Sequence, residues 1–268
     1  MKWRVWFLVV TILAAVVVVY FFPPIPQNET YHMFADHRAL LGIPNCLNTT
    51  SNILFLFVGW FGMRFVLQKR SQTGNTFIDP SERWPYFVFF LAVFLTTFGS
   101  AWYHLRPRDD RLLWDRLPMS FGFMALVSAI LAERIGVKIG VWLLTPLLAL
   151  GAGSVLYWDI TQSDGHGDLR AYALVQFGSL LVLLLLVSLF RARYTRGADL
   201  IISLAIYVVA KILEVADHII FSWGGIVSGH TLKHVAAAIS AFWILRMIVL
   251  RKPILTPVTF PTSDDRGT

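Results

Sequence analysis

Long apolar runs recur along the whole chain, and the short segments between them collect most of the charge. Eight runs stand out, at 4–22, 46–67, 84–105, 112–132, 139–157, 171–190, 199–220 and 229–250. Each is close to the roughly 20 residues that a helix needs to cross a bilayer. The runs are continuous and do not alternate with a period of two, which argues against a membrane β-barrel. The pattern predicts an all-α integral membrane protein. Composition agrees: of 268 residues, 56% are hydrophobic and only 15% charged, where a soluble domain carries about a quarter.

The first run follows Met1–Arg4 and ends in YFFPPIP. It has the charged start of a signal peptide but no small-residue cleavage site, so an uncleaved transmembrane anchor is expected. Residues 1–35 are then an anchor helix with an outer linker, and 36–250 a bundle of seven transmembrane helices. Residues 251–268, rich in Pro and Thr, are a disordered tail. No internal repeat or low-complexity tract stands out. The single cysteine, Cys46, excludes an internal disulfide and a cysteine-based zinc cage.

The formal charge of +7 would suggest nucleic acid in a soluble chain. Here the Lys and Arg sit mainly in short loops, where they report orientation. Fifteen fall on the N-terminal side (Lys2, Arg4, Arg64, Lys69, Arg70, Arg83, Arg134, Lys138, Arg191, Arg193, Arg196, Arg246, Arg251, Lys252 and Arg266), and six on the other (Arg38, Arg106, Arg108, Arg111, Arg116 and Arg170). Lys211 and Lys233 lie within spans. The bias predicts cytoplasmic termini, and neither nucleic acid nor a protein partner is expected.

Candidate chemistry gathers at the span edges. FGSAWYHLRPRDDRLLWDRLPM, residues 98–119, sets Ser100 and His104 one helical turn apart and brings Asp115 just beyond a turn broken by Pro107. SGHTLKH supplies His230 and His234, again one turn apart. With alternating spans, the third run ends outside with Ser100 and His104, the fourth starts outside with Asp115, and the eighth starts outside with both histidines. All five residues are therefore expected at one depth, near the outer interface. Three imidazoles with one open position make a catalytic zinc arrangement. Zinc lowers the pKa of a bound water and polarises a carbonyl. Asp115 is suited to moving the proton of that water to a leaving amine, and Ser100 to stabilising an oxyanion or orienting a ligand. Amide hydrolysis of a lipid is the natural reaction for these parts.

Each residue also has a structural explanation. An interfacial histidine can simply bond to water, Ser100 beside Gly99 can serve close helix packing, and Asp115 can pair with Arg111 or Arg116. Asn48 and Ser51 read as interhelical hydrogen-bonding residues. Lys211 and Glu214, three apart, read as a pair that neutralises two charges in the bilayer, and Asp217 and His218 approach the outer side. The loop YWDITQSDGHGDLR, with Asp159, Asp164, His166 and Asp168, reads as solvated.

Taken together, Ser-x-x-x-His, a carboxylate eleven residues on and a late His-x-x-x-His resemble the alkaline ceramidase and adiponectin-receptor superfamily of seven-helix membrane hydrolases. NCLNTTSN (residues 45–52) is similar to the Asn-Thr-x-Ser-Asn of the alkaline ceramidases, and GSAWYHL with WDRLPM is close to their bacterial relatives. The likeness covers about residues 36–250. It implies that His104, His230 and His234 are zinc ligands, that Ser100 and Asp115 are catalytic, and that the amide of a ceramide is hydrolysed to sphingoid base and fatty acid. Such ceramidases also hold calcium through acids before their first core helix. Here FADHRALLGIPN offers Asp36, while Asn45 stands where a Glu is expected, so calcium is not assigned. The resemblance also suggests a bacterial inner membrane with the site at its periplasmic face. Two other classes fit parts of the pattern. One is a receptor of the same superfamily built round a structural zinc. The other is a coloured protein with retinal on Lys211 or haem on paired histidines.

Overall fold

The computed structural model describes residues 2–68 and 76–254, among which every regular element is a helix. The transmembrane-length helices are α1 (Lys2–Phe21), α4 (Arg83–Leu105), α5 (Asp109–Arg134), α6 (Val137–Ser163), α7 (Arg170–Leu189), α8 (Gly197–Val215) and α10 (Gly229–Leu250). Short α2 (Cys46–Thr50) runs almost straight into α3 (Ile53–Leu67), and α9 (Asp217–Ser222) follows α8. Seven helical segments are long and apolar enough to cross a membrane, with α2 and α3 counted as one. The protein is an all-α membrane bundle.

Boundaries follow local chemistry. Pro107 cannot continue a helix, so α4 stops at Leu105 and α5 starts at Asp109, with Asp109 and Asp110 in its first turn, where negative charge suits the helix dipole. At α10 the Ser228 side chain accepts from Thr231 N, a serine N-cap. The predicted span 199–220 is not one helix. It breaks at Ala216 into α8 and α9, and α8 falls outside the apolar set because it carries Asp199, Lys211 and Glu214. Those charges are paired: Asp199 with Arg196 at 2.7 Å and with Arg246 at 3.5 Å, and Glu214 with Lys211 and Lys233.

Helix α5 is the most enclosed, packed between α4 and α6, while α8 lies along α10. Helix α1 leans on α7 and buries only Leu8, at the edge of the bundle. Its last carbonyls, those of Tyr20 and Phe22, accept from Arg170, which Asp168 holds at 2.8 Å. Asp168 is thus buried and structural, unlike the solvated loop expected there; Asp164 and His166 are exposed, and Asp159 belongs to α6. The expected disordered tail lies, from residue 255 on, outside the described residues. Its first residues are fixed, with Arg251 buried against Glu133, and Thr195 N donating to Lys252 O at 2.9 Å.

Candidate metal centre

Two glycines let the site assemble. A Cβ on Gly99 would lie 2.0 Å from the Trp114 carbonyl oxygen, so only glycine lets α4 touch the start of α5. That approach brings Ser100 and His104 beside Asp115. A Cβ on Gly229 would lie 2.3 Å from the Leu213 carbonyl, so the start of α10 is pressed onto the end of α8 in the same way.

The imidazoles of His104, His230 and His234 meet there, fully buried, with ligand nitrogens all within 4.8 Å of one another. Their ring centroids form a near-equilateral triangle, 4.8 Å for His104–His230, 4.9 Å for His104–His234 and 4.9 Å for His230–His234. His104 Nε2 and His230 Nε2 are 3.4 Å apart. Two nitrogens at Zn–N distances of about 2.0–2.1 Å with a tetrahedral angle are separated by about 3.3 Å, so the spacing suits one ion. His234 Nε2 is buried with no hydrogen-bond partner, as expected of a nitrogen kept for a metal. The chain therefore has a buried three-histidine cluster that could hold a metal ion, built from the residues the sequence singled out.

The surroundings orient the rings. Ser51 Oγ lies 2.8 Å from His234 Nδ1 and so fixes which nitrogen turns inward. Asn48 Oδ1 accepts from Thr231 Oγ1 at 2.7 Å and from Ser228 Oγ at 3.2 Å, and Asn45 Nδ2 donates to the His104 carbonyl at 2.8 Å. The polar residues of α2 are thus both interhelical links and supports of the site. Asp217 takes the His230 backbone N–H at 2.7 Å and the Ala35 N–H at 2.9 Å. This explains the break after α8: it turns Asp217 onto the start of α10. His218 bonds the Met33 carbonyl at 3.0 Å.

Ser100 and Asp115 are buried, face one another and line one cavity together with His234. Asp115 forms no ion pair with Arg111, which is half-buried against Trp102, or with Arg116. The cavity has a volume of about 280 Å³, with a polar end at Ser100, Asp115 and His234 and apolar walls from Phe89, Val93, Leu126, Phe177, Leu180 and Ile244. It lies between α4, α5, α7, α8 and α10. Helices α7 and α8 meet sparsely, tied by Gln176 Nε2 donating to Tyr207 OH at 2.6 Å.

Four residues were not visible as site residues in the sequence. The linker after α1 crosses the site as a strap. Phe34 lies with its ring centroid 4.8 Å from that of His104 and 4.5 Å from that of His230, and Tyr31 OH donates to Glu214 Oε1 at 3.2 Å. Burial, and then the Glu214 carboxylate, push the Tyr31 pKa up, so the phenol stays a donor. His32 bridges Tyr103 OH and Asp109 at 2.9 and 3.0 Å. Lys233 is the fourth: its Nζ lies 3.2 Å from His230 Nε2 and 2.9 Å from Glu214. An ionisable residue between two histidines inside a span is itself a signal of function. Asp36, the acid considered for calcium, is bound by Arg38 through Nε at 2.7 Å and Nη2 at 2.8 Å, and these bonds hold its pKa down.

Comparison with protein-family models and with curated proteins finds no match for this chain.

Proposed function

We propose that this protein is a zinc-dependent intramembrane amidohydrolase that cleaves the amide of ceramide-like N-acyl lipids to sphingoid base and fatty acid. The observation that carries the proposal is the arrangement of the three buried imidazoles. Two of their nitrogens stand 3.4 Å apart and a third has no partner. They adjoin a carboxylate and a hydroxyl at the polar end of an apolar cavity. His104, His230 and His234 would hold the zinc, which would supply Lewis-acid activation of a water and of the scissile carbonyl.

The chain's own residues do the rest. The water oxygen bonds to the carbonyl carbon, and its proton passes to Asp115. The Ser100 hydroxyl, facing Asp115, donates to the oxygen on which charge develops. The carbon–nitrogen bond then breaks and Asp115 returns the proton to the leaving amine. The strap carrying Phe34 covers the rings from outside and limits exchange with bulk water. The sparse α7–α8 contact suits a substrate that arrives sideways from the lipid. The charge bias of the loops favours both termini in the cytoplasm. In a bacterium the site would then lie near the periplasmic face of the inner membrane, with the anchor helix outside the catalytic bundle.

The test is fatty acid release from ceramide by the purified protein with zinc, in detergent micelles. Turnover is expected from the wild type, with a loss of at least about 10²-fold in Asp115→Asn and a larger one in His230→Ala. A zinc-bearing protein that releases no fatty acid fits the receptor class instead. A visible absorption band from haem or retinal would contradict both.

A further inference from the structure

The charges at the polar end of the cavity do not balance. Arg116, Lys211 and Lys233 line it together with Asp115 and Glu214, three cations against two carboxylates. Both carboxylates are engaged: Glu214 lies between Lys211 and Lys233, and Asp115 faces Ser100. Arg116 is left over. It is 5% exposed, and its Nη2 donates to Gln27 Oε1 at 2.5 Å, but its Nη1 is buried with no hydrogen-bond partner. Among the described residues no ion pair reaches it.

The guanidinium is nevertheless firmly placed. Its carbon lies 4.1 Å from the Trp158 ring centroid, 4.9 Å from that of Tyr172 and 5.6 Å from that of Tyr31. A buried charge without a partner is unfavourable unless something neutralises it, and a metal on the histidines adds to the positive surplus. A guanidinium fixed by aromatic faces and turned to a cavity is suited to an oxyanion, whose oxygens match its planar array of donors. Gln27 and Tyr31, its neighbours, belong to the linker after α1, so Arg116 joins the cavity to that linker.

We propose that the cavity selects N-acyl lipids whose headgroup carries an anionic oxygen group, and that Arg116 determines that preference. This rests on the amidohydrolase reading and specifies its substrate class. The probe is a ceramide and its 1-phosphate with identical chains, presented to the purified full-length protein in neutral detergent micelles. Binding is read by displacement of a fluorescent lipid, and turnover by fatty acid release from the same two lipids. The phosphate form is expected to bind at least about tenfold more tightly. Arg116→Gln should abolish this preference while leaving affinity for the neutral lipid unchanged, which also reports that the variant is folded. Arg116→Lys should keep part of it. Excess inorganic phosphate should leave the preference in place. Equal binding of the two lipids by the wild type, a preference that survives Arg116→Gln, or displacement by free phosphate would each overturn the proposal. Absence of turnover with an intact binding preference would instead count against the hydrolase.

Discussion

At the scale of single residues, the site is a set of side chains whose hydrogen bonds decide which atom faces the cavity. Ser51 is the sharpest case, because it holds His234 Nδ1 at 2.8 Å and turns Nε2 toward the other two rings. Loss of such a support typically weakens metal binding about 10–100-fold. Ser51→Ala is therefore expected to lower zinc affinity by that order, measured by competition with a chromophoric chelator, whereas unchanged affinity would remove Ser51 from the centre. Gly99 acts through what it lacks. Gly99→Ala drives a methyl into the Trp114 carbonyl; it should destabilise the bundle by about 1–3 kcal/mol, seen as a lower thermal midpoint in detergent. The five principal residues were legible because i, i+4 pairs at span edges share a depth and a face. Phe34, Tyr31 and Arg116 were not. The contacts of Phe34 and Tyr31 arise only when a linker remote in sequence folds over the bundle, and the isolation of Arg116 can be judged only once every carboxylate near it has a partner.

Among the elements, the spans matched hydropathy closely, α10 running over the same residues, 229–250, as the apolar run. The exception is instructive. Ile219 and Ile220 resume the apolar pattern beyond Asp217 and His218, so a hydropathy argument sees one span. The chain breaks at Ala216 because Asp217 serves the backbone N–H groups of His230 and Ala35, a tertiary demand that the Asp217–His218 pair alone does not reveal. The loop before α7 was misread for the same reason: Asp168 looks solvated until Arg170 and the end of α1 are seen to need it. Hydrogen bonding to Arg170 holds the Asp168 pKa at about 2. The unfolded value is near 3.9. A depressed carboxylate stabilises above its unfolded pKa, so the contact should be fully present above about pH 4 and lost as pH falls through about 2. Deuterium uptake by residues 22–28 should follow that course in the wild type and be raised already at neutral pH in Asp168→Asn. Equal uptake in both proteins would mean that α1 is held by other contacts.

For the whole molecule, the central feature is that α4 and α10, 126 residues apart at His104 and His230, bring imidazoles together beside a cavity with largely apolar walls. The architecture was legible because a bilayer leaves few alternatives to a spanning helix. The histidine cluster was legible because apolar spans seldom carry histidine without a use. What the sequence alone could not give is the ring triangle. Zinc X-ray absorption on the purified protein, with metal content measured on the same sample, tests it most directly. One zinc per chain with three imidazole nitrogens at about 2.0 Å, lost in His230→Ala, is the expected result. A wild-type protein that takes up no stoichiometric zinc, or whose zinc has fewer than three imidazoles, would contradict it.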